Sequence, residues 1–142
     1  MSTVLSALNR KGVLPVTISP GATVMDALKI MEEKNIGSVV VMQNEEYLGI
    51  MTERDYSRKV ILKNKDSAHT KVSEIMSTGL PSVAPSDTIE RCMQLMSEKN
   101  IRYMPVFENN KLTGIISMSD VVKETIQAQK ETINQLHNYI NS

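Results

Sequence analysis

Residues 20–55 of this chain recur at residues 85–120, offset by 65 positions without a gap, and 12 of the 36 aligned positions are identical. The identities include Glu33-Lys34-Asn35-Ile36 against Glu98-Lys99-Asn100-Ile101, Gly49-Ile50 against Gly114-Ile115, and Asp55 against Asp120. Two copies fall short of the roughly three repeats that a solenoid needs to close a core. The expectation is instead two halves packed face to face about a pseudo-twofold axis. Any cleft between them then comes in two related copies.

Each copy reads β-α-β-β-α. In the first, Val16-Thr17-Ile18 is a short strand stopped by Ser19-Pro20-Gly21, and Thr23 caps a helix with apolar residues Val24, Ala27, Leu28 and Met31 at helical spacing. Gly37 to Met42 is β-branched and nearly continuous, the mark of a strand buried on both faces. Asn44-Glu45-Glu46 turns the chain, Tyr47 to Met51 returns as a strand, and Thr52 opens a helix through about Leu62. In the second copy Pro81 to Val83 is a strand and Ile89, Cys92, Met93 and Met96 mark a helix. Met104 to Phe107 and Leu112 to Ile116 are strands around a turn at Glu108 to Lys111, and a helix starts at Ser117.

Val4 to Leu8 and Val72 to Met76 read as short leader helices. The polar stretch Asn64 to Thr70 joins the halves, which gives residues 1–66 as repeat one with its leader, 67–125 as repeat two and 126–142 as a helical tail. The fold class is α+β (mixed α/β), with two small sheets, helices packed on them and an extended C-terminal helix. In that last helix Ile126, Ile133 and Ile140 recur every seven residues, as do Val122, Gln129 and Leu136. This is an a/d seam of about three heptads. It fits either a helix lying on its own domain or a dimerisation helix, and the second is favoured because the repeat body is complete at Val122.

Composition narrows the function. The chain has 142 residues, 41% hydrophobic and 23% charged, a globular balance with room for a core. Its formal net charge of zero provides no field to attract nucleic acid. No window approaches the ~18 apolar residues of a membrane span, and the apolar start is too short for a secretion signal. One cysteine forms no internal disulfide and fits a reducing compartment, and His69 and His137 have no cysteine partners for a zinc site. Cys92 stands where Ala27 stands in the first copy, which points to a small buried residue rather than a nucleophile. The ten methionines fall at periodic positions and read as core filling. Arg54, Arg58, Lys59, Lys63 and Lys65 make a basic run, a solvated face or a phosphate-binding edge.

The local signature that carries chemistry is Gly49-Ile-Met-Thr52-Glu-Arg-Asp55, matched by Gly114-Ile-Ile-Ser117-Met-Ser-Asp120. Each sets a hydroxyl and a carboxylate three residues apart at a helix start. One reading is a capping box that satisfies the free amides of the first turn. A compatible reading is a ligand site. A helix start favours anions, and a carboxylate one turn in can accept both hydrogen bonds of a ribose diol.

The repeat pattern, the Pro-x-x-Thr opening and the Gly-x-x-Thr/Ser-x-x-Asp ending resemble the cystathionine β-synthase (CBS) domain, here as a tandem pair over about residues 4–125. Thr52 to Arg58, Ile101 to Val106 and Gly114 to Val122 look like stand-alone two-repeat members from bacteria and mitochondria. The resemblance implies a module without catalytic activity or metal that binds adenosine nucleotides in two crosswise clefts and dimerises. One cleft would use Thr52, Arg54 and Asp55 with Thr78, Leu80, Pro81, Ile101, Arg102, Tyr103 and Met104. The other would use Ser117, Ser119 and Asp120 with Val13, Leu14, Pro15, Ile36, Gly37, Ser38 and Val39. The carboxylates would hold the ribose, with apolar residues and backbone around the adenine.

The first set carries Arg54, Arg102 and Tyr103 where the second has Ser119, Gly37 and Ser38, so the first is expected to hold phosphate more tightly. Arginine at Arg102, the start of a strand read as buried, would be costly unless it met an anion or a cavity. Expected ligands are AMP, ADP, ATP or NAD(H), and less so S-adenosylmethionine. The expected partners are a second copy and an effector protein, with neither nucleic acid nor membrane. The expected location is the cytoplasm, or the mitochondrial matrix in a eukaryote. The alternative is a dimerisation scaffold whose clefts stay empty.

Overall fold

A computed structural model describes residues 2–141. In chain order the elements are α1 (Val4–Lys11), β1 (Thr17–Ile18), α2 (Val24–Lys34), β2 (Ser38–Gln43), β3 (Glu46–Thr52), α3 (Glu53–Tyr56), a π-helical turn (Ser57–Ile61), α4 (Val72–Ile75), α5 (Ile89–Lys99), β4 (Tyr103–Glu108), β5 (Lys111–Ser117) and α6 (Met118–Ile140). The mixed α/β class and the long last helix agree with the pattern in the sequence. The helix expected from Thr52 to Leu62 is in fact one α-turn that widens into the π-turn.

The chain forms two compact units, Pro15–Leu80 in one and the residues up to Leu14 with those from Pro81 onward in the other. In the first-repeat unit, Val24, Ala27 and Met31 of α2 pack on Val39, Val41 and Met51, and Val72 and Ile75 of α4 join the same core. In the second-repeat unit, Ile89, Cys92 and Met96 of α5 pack on Met104, Val106 and Ile116, joined by Val4 and Ala7 of α1.

The leader helices therefore bury their apolar faces against the repeat beyond the boundary read at residue 66. Backbone bonds fix this arrangement. Val4 N–H donates to Asp87 O at 2.9 Å and Leu5 N–H to Pro85 O at 2.9 Å; Val72 N–H donates to Ala22 O and Val24 N–H to Thr70 O, each at 2.8 Å. Side chains follow: Leu8 lies over Gly114, and Met76 with the Ser77 carbonyl lies over Gly49. Neither glycine position has room for a β-carbon without displacing its neighbour.

The two units share their punctuation. Asn35 and Asn100 close α2 and α5 in the left-handed region, at φ 54 and 53. Asn44-Glu45 and Asn109-Asn110 all have positive φ, which gives each hairpin the turn type that matches strand twist. Each hairpin also shifts register at the same place, Val41/Met42 and Val106/Phe107.

They differ in the sheet. The first-repeat unit has three strands in the order β1-β2-β3, whereas the second has only β4-β5. The strand expected at Pro81 to Val83 survives as a single bridge, Val83 to Val106. The reason is proline. Val40 N–H donates to Val16 O at 2.9 Å in the first unit. The equivalent donor position in the second unit is Pro105, which has no N–H to offer.

The burial along α6 lies in its first half. Val121 and Glu124 are buried, but from residue 129 to Ile140 every residue is exposed, including Ile133, Leu136 and Ile140.

Candidate functional site

Each repeat ends its hairpin in a helix mouth built the same way. Thr52 caps α3: its hydroxyl accepts from Asp55 N–H at 3.1 Å, and Asp55 Oδ2 accepts from Thr52 N–H at 2.9 Å. Ser117 caps α6 with the same bonds, Asp120 N–H to Ser117 Oγ at 3.1 Å and Ser117 N–H to Asp120 Oδ2 at 2.9 Å. Both are reciprocal capping boxes, so the hydroxyl–carboxylate spacing performs the capping role read from it.

The surroundings of the two carboxylates diverge. Asp55 is buried, its side chain 6% exposed, and it also accepts from the Thr52 hydroxyl at 3.0 Å. Its other oxygen, Oδ1, takes the Ser77 hydroxyl at 2.8 Å and the Lys59 ammonium at 2.9 Å. Lys59 also donates to Ile75 O at 2.9 Å, which ties the mouth to α4. Asp120 is 13% exposed, and Lys11 Nζ lies 3.1 Å from its Oδ2. That ammonium lies 3.5 Å from Ile115 O as well.

The source of the difference is the leader. α4 stops at Ile75, and the chain runs extended so that Ser77 bridges Ile50 and presents its hydroxyl to Asp55. α1 continues to Lys11, and this added turn delivers Arg10 to Glu124 and Lys11 to Asp120. Glu124 occupies the position equivalent to Lys59, so a cation in one repeat faces an anion in the other.

The remaining expected site residues divide between the units. In the first-repeat unit Ser38 is in register with Thr52, and Glu53 N–H donates to Gly37 O at 3.1 Å, so Gly37, Ser38 and the buried Val39 adjoin the Thr52 mouth. Arg54 is half-buried on α3, and Pro15, Ile36, Thr78 and Leu80 lie in connecting segments of that unit. In the second-repeat unit Tyr103 is in register with Ser117, and Met118 N–H donates to Arg102 O at 2.8 Å. Arg102 itself is exposed and precedes β4, so the burial cost expected for it does not arise. Ile101 is half-buried and Met104 fully buried; Ser119 is exposed, as are Val13 at 67% and Leu14 at 85%, and Pro81 lies ahead of the lone bridge.

Sequence patterns give no sign of Ser77 or Lys11 as mouth residues, because both arrive from the leaders. The i, i+4 spacing of Asp55 and Lys59 does signal their pairing.

A cavity of about 470 Å³ in the first-repeat unit is lined by Leu28, Met31, Glu32, Asn35, Ile36, Gly37 and Glu53. Its two glutamates oppose a phosphate there. Cys92 is fully buried, and burial, with Asp87 adding, pushes its thiol up to about 11, the reverse of what a nucleophile needs. Among the described residues no group of three or more His, Cys, Asp or Glu could hold a metal, and no helix is long and apolar enough to cross a membrane.

The family model of the CBS domain matches this chain twice, at residues 14–61 and 72–126. The chain is a tandem pair of CBS domains. It is 38% identical over 123 residues to the CBS domain-containing protein CBSX3, mitochondrial, of Arabidopsis thaliana, a match covering 83% of this chain and 60% of that protein. It is 34% identical over 105 residues to the CBS domain-containing protein YhcV of Bacillus subtilis, 74% of each chain. The crystal structure of the CBS domain NE2398 superposes with a TM-score of 0.84 at 40% identity, over 88% of this chain and 98% of that one. CBS domain pairs are typically regulatory.

Proposed function

We propose that this CBS pair is a non-catalytic sensor module that binds an adenosine-containing ligand and passes its state to an effector protein as a homodimer. AMP, ADP, ATP and NAD(H) are the leading candidates, with S-adenosylmethionine behind them. The supporting observation is the repetition of one helix mouth, a capping hydroxyl, a carboxylate three residues on and a lysine ammonium beside that carboxylate, at Thr52–Asp55 and Ser117–Asp120. A carboxylate can hold a sugar diol, and a nearby ammonium can pair with phosphate. The ligand would work by favouring one arrangement of the module, with an effect no larger than its differential affinity for the alternatives. The setting would be the cytoplasm or, in a eukaryote, the mitochondrial matrix.

Native mass spectrometry of the purified protein tests this reading. An adenine compound retained by the protein and competed off by added AMP is the expected result. Protein that carries nothing and gives no calorimetric heat with adenine compounds would refute it.

One observation favours a second reading. Asp55 already has four donors from its own chain, as a purely structural cap would. If both mouths were only caps, the module would be a dimerisation scaffold, unaffected by any nucleotide.

A further inference from the structure

The two helix mouths share a motif but not a capacity for ligand. A carboxylate offers about four lone-pair directions. Asp55 has committed that many: Thr52 N–H and the Thr52 hydroxyl on Oδ2, the Ser77 hydroxyl and Lys59 on Oδ1. A sugar diol could be accepted only by evicting Ser77 and Lys59 from a side chain that is 6% exposed. Ser77 is held beside the mouth by two backbone bonds with Ile50, at 2.8 and 3.1 Å, so even when its hydroxyl turns away the residue itself stays against Asp55.

Asp120 is less committed. The cap bond from Ser117 N–H and the Lys11 ammonium both land on Oδ2, and the side chain is 13% exposed. Lys11 is the last residue of α1, with its side chain 29% exposed on a flexible four-carbon stem. Moving it gives up one partly solvated ion pair, whereas a diol at Asp55 would have to displace the Ser77 hydroxyl as well as Lys59, whose own side chain is 44% exposed.

We propose that the Ser117–Asp120 mouth is the one that accepts nucleotide, and that Lys11 is its specificity-determining residue, leaving the carboxylate to the ribose and turning to the phosphate. This rests on the reading of the module as an adenosine-nucleotide binder and reverses the order of affinity expected from the arginines alone. Lys11 has two consequences. With no phosphate present it competes with the sugar for Asp120, so plain adenosine is disfavoured. With a phosphate present, the ammonium gains a charge-assisted bond in exchange for the one it gives up.

Titration calorimetry of the intact chain with AMP and with adenosine tests this, using Lys11→Met and Lys11→Arg, with melting curves to confirm that each variant folds. Lys11→Met should weaken AMP by about tenfold, the scale of one charge-assisted contact, while adenosine binds as well as before or better. Lys11→Arg should restore most of the AMP affinity. Asp120→Asn should abolish binding of both, and the wild type should take one ligand per chain. The proposal is overturned if Lys11→Met leaves AMP unchanged or shifts AMP and adenosine equally, or if Asp120→Asn still binds AMP at full strength. Wild-type protein that binds neither compound would instead overturn the underlying reading, a distinct result.

Discussion

Arg10 and Glu124 lie 114 residues apart in sequence and meet through two hydrogen bonds, Nε to Oε2 at 2.8 Å and Nη2 to Oε1 at 3.4 Å. The Glu124 side chain is only 4% exposed, whereas that of Arg10 is 48% exposed, so the pair seats a buried anion beneath a solvent-facing cation. It clamps the last turn of α1 onto α6 in the second-repeat unit. The same contact raises the Arg10 pKa, chiefly through its hydrogen bonds to Glu124.

Removing one partner of such a pair should do more harm than removing both, because a lone buried carboxylate has no compensation. Arg10→Leu is therefore expected to lower the urea midpoint more than the double change Arg10→Leu with Glu124→Leu. A double variant no more stable than the single one would show that Glu124 is solvated without its partner.

The two strand-end glycines should respond unequally to a methyl group. A β-carbon at Gly49 would lie 2.6 Å from the Ser77 carbonyl, which is backbone, whereas at Gly114 it would meet the Leu8 methyls at 3.0 and 3.1 Å. Gly49→Ala is expected to cost about 1–3 kcal/mol, the usual scale of overpacking against a rigid neighbour. Gly114→Ala should cost less, because a leucine end can rotate. Equal losses in chemical denaturation would mean that the segment around Ser77 yields as readily as a side chain.

Much of this was legible in the sequence, and the reasons are local. The helices at Val24 and Ile89, both Asn-centred hairpin turns and both capping boxes follow from spacing and turn chemistry within a few residues, so reading along the chain finds them. What stayed hidden depends on distant encounters. The leaders cross to the other repeat through Val4 to Asp87 and Val72 to Ala22, contacts that no periodicity encodes. The missing strand near Val83 was hidden for a different reason. Its own residues suit a strand, and the fault lies at Pro105, on the neighbour it would pair with. Arg102 looked buried because its counterpart Gly37 reads as opening a buried strand, but in both repeats the strand starts one residue later, at Ser38 and Tyr103.

Cys92 should behave as a core residue. With its thiol raised to about 11 by burial, the thiolate is scarce at neutral pH and grows only as pH rises toward that value. Alkylation of the native protein is expected to be far slower at pH 7 than that of a free thiol, and to accelerate steeply with pH or on unfolding. Rapid labelling of folded protein at pH 7 would contradict the buried placement.

The exposed stretch of α6 should join two copies. Ile133 and Leu136 are 64% and 59% exposed on the second half of α6, and most helical stability comes from packing an apolar face against a partner. Ile and Leu at a and d suit a two-stranded coil. Ile133→Asp with Leu136→Asp is expected to reduce the dimer fraction in sedimentation while leaving the melting of the folded units unchanged. A dimer that persists at the same concentration would assign the interface elsewhere.

The central claim is that the module binds an adenine nucleotide, and a thermal-shift titration tests it most directly. AMP, ATP and NAD(H) would be compared with guanosine and cytidine nucleotides up to millimolar levels on the intact chain. Binding predicts a saturating rise in melting temperature with at least one adenine compound, worth about 2.7 kcal/mol at a hundred times its dissociation constant, and none with the other bases. A flat response to every adenine compound would contradict the account and leave both capping boxes as structure alone.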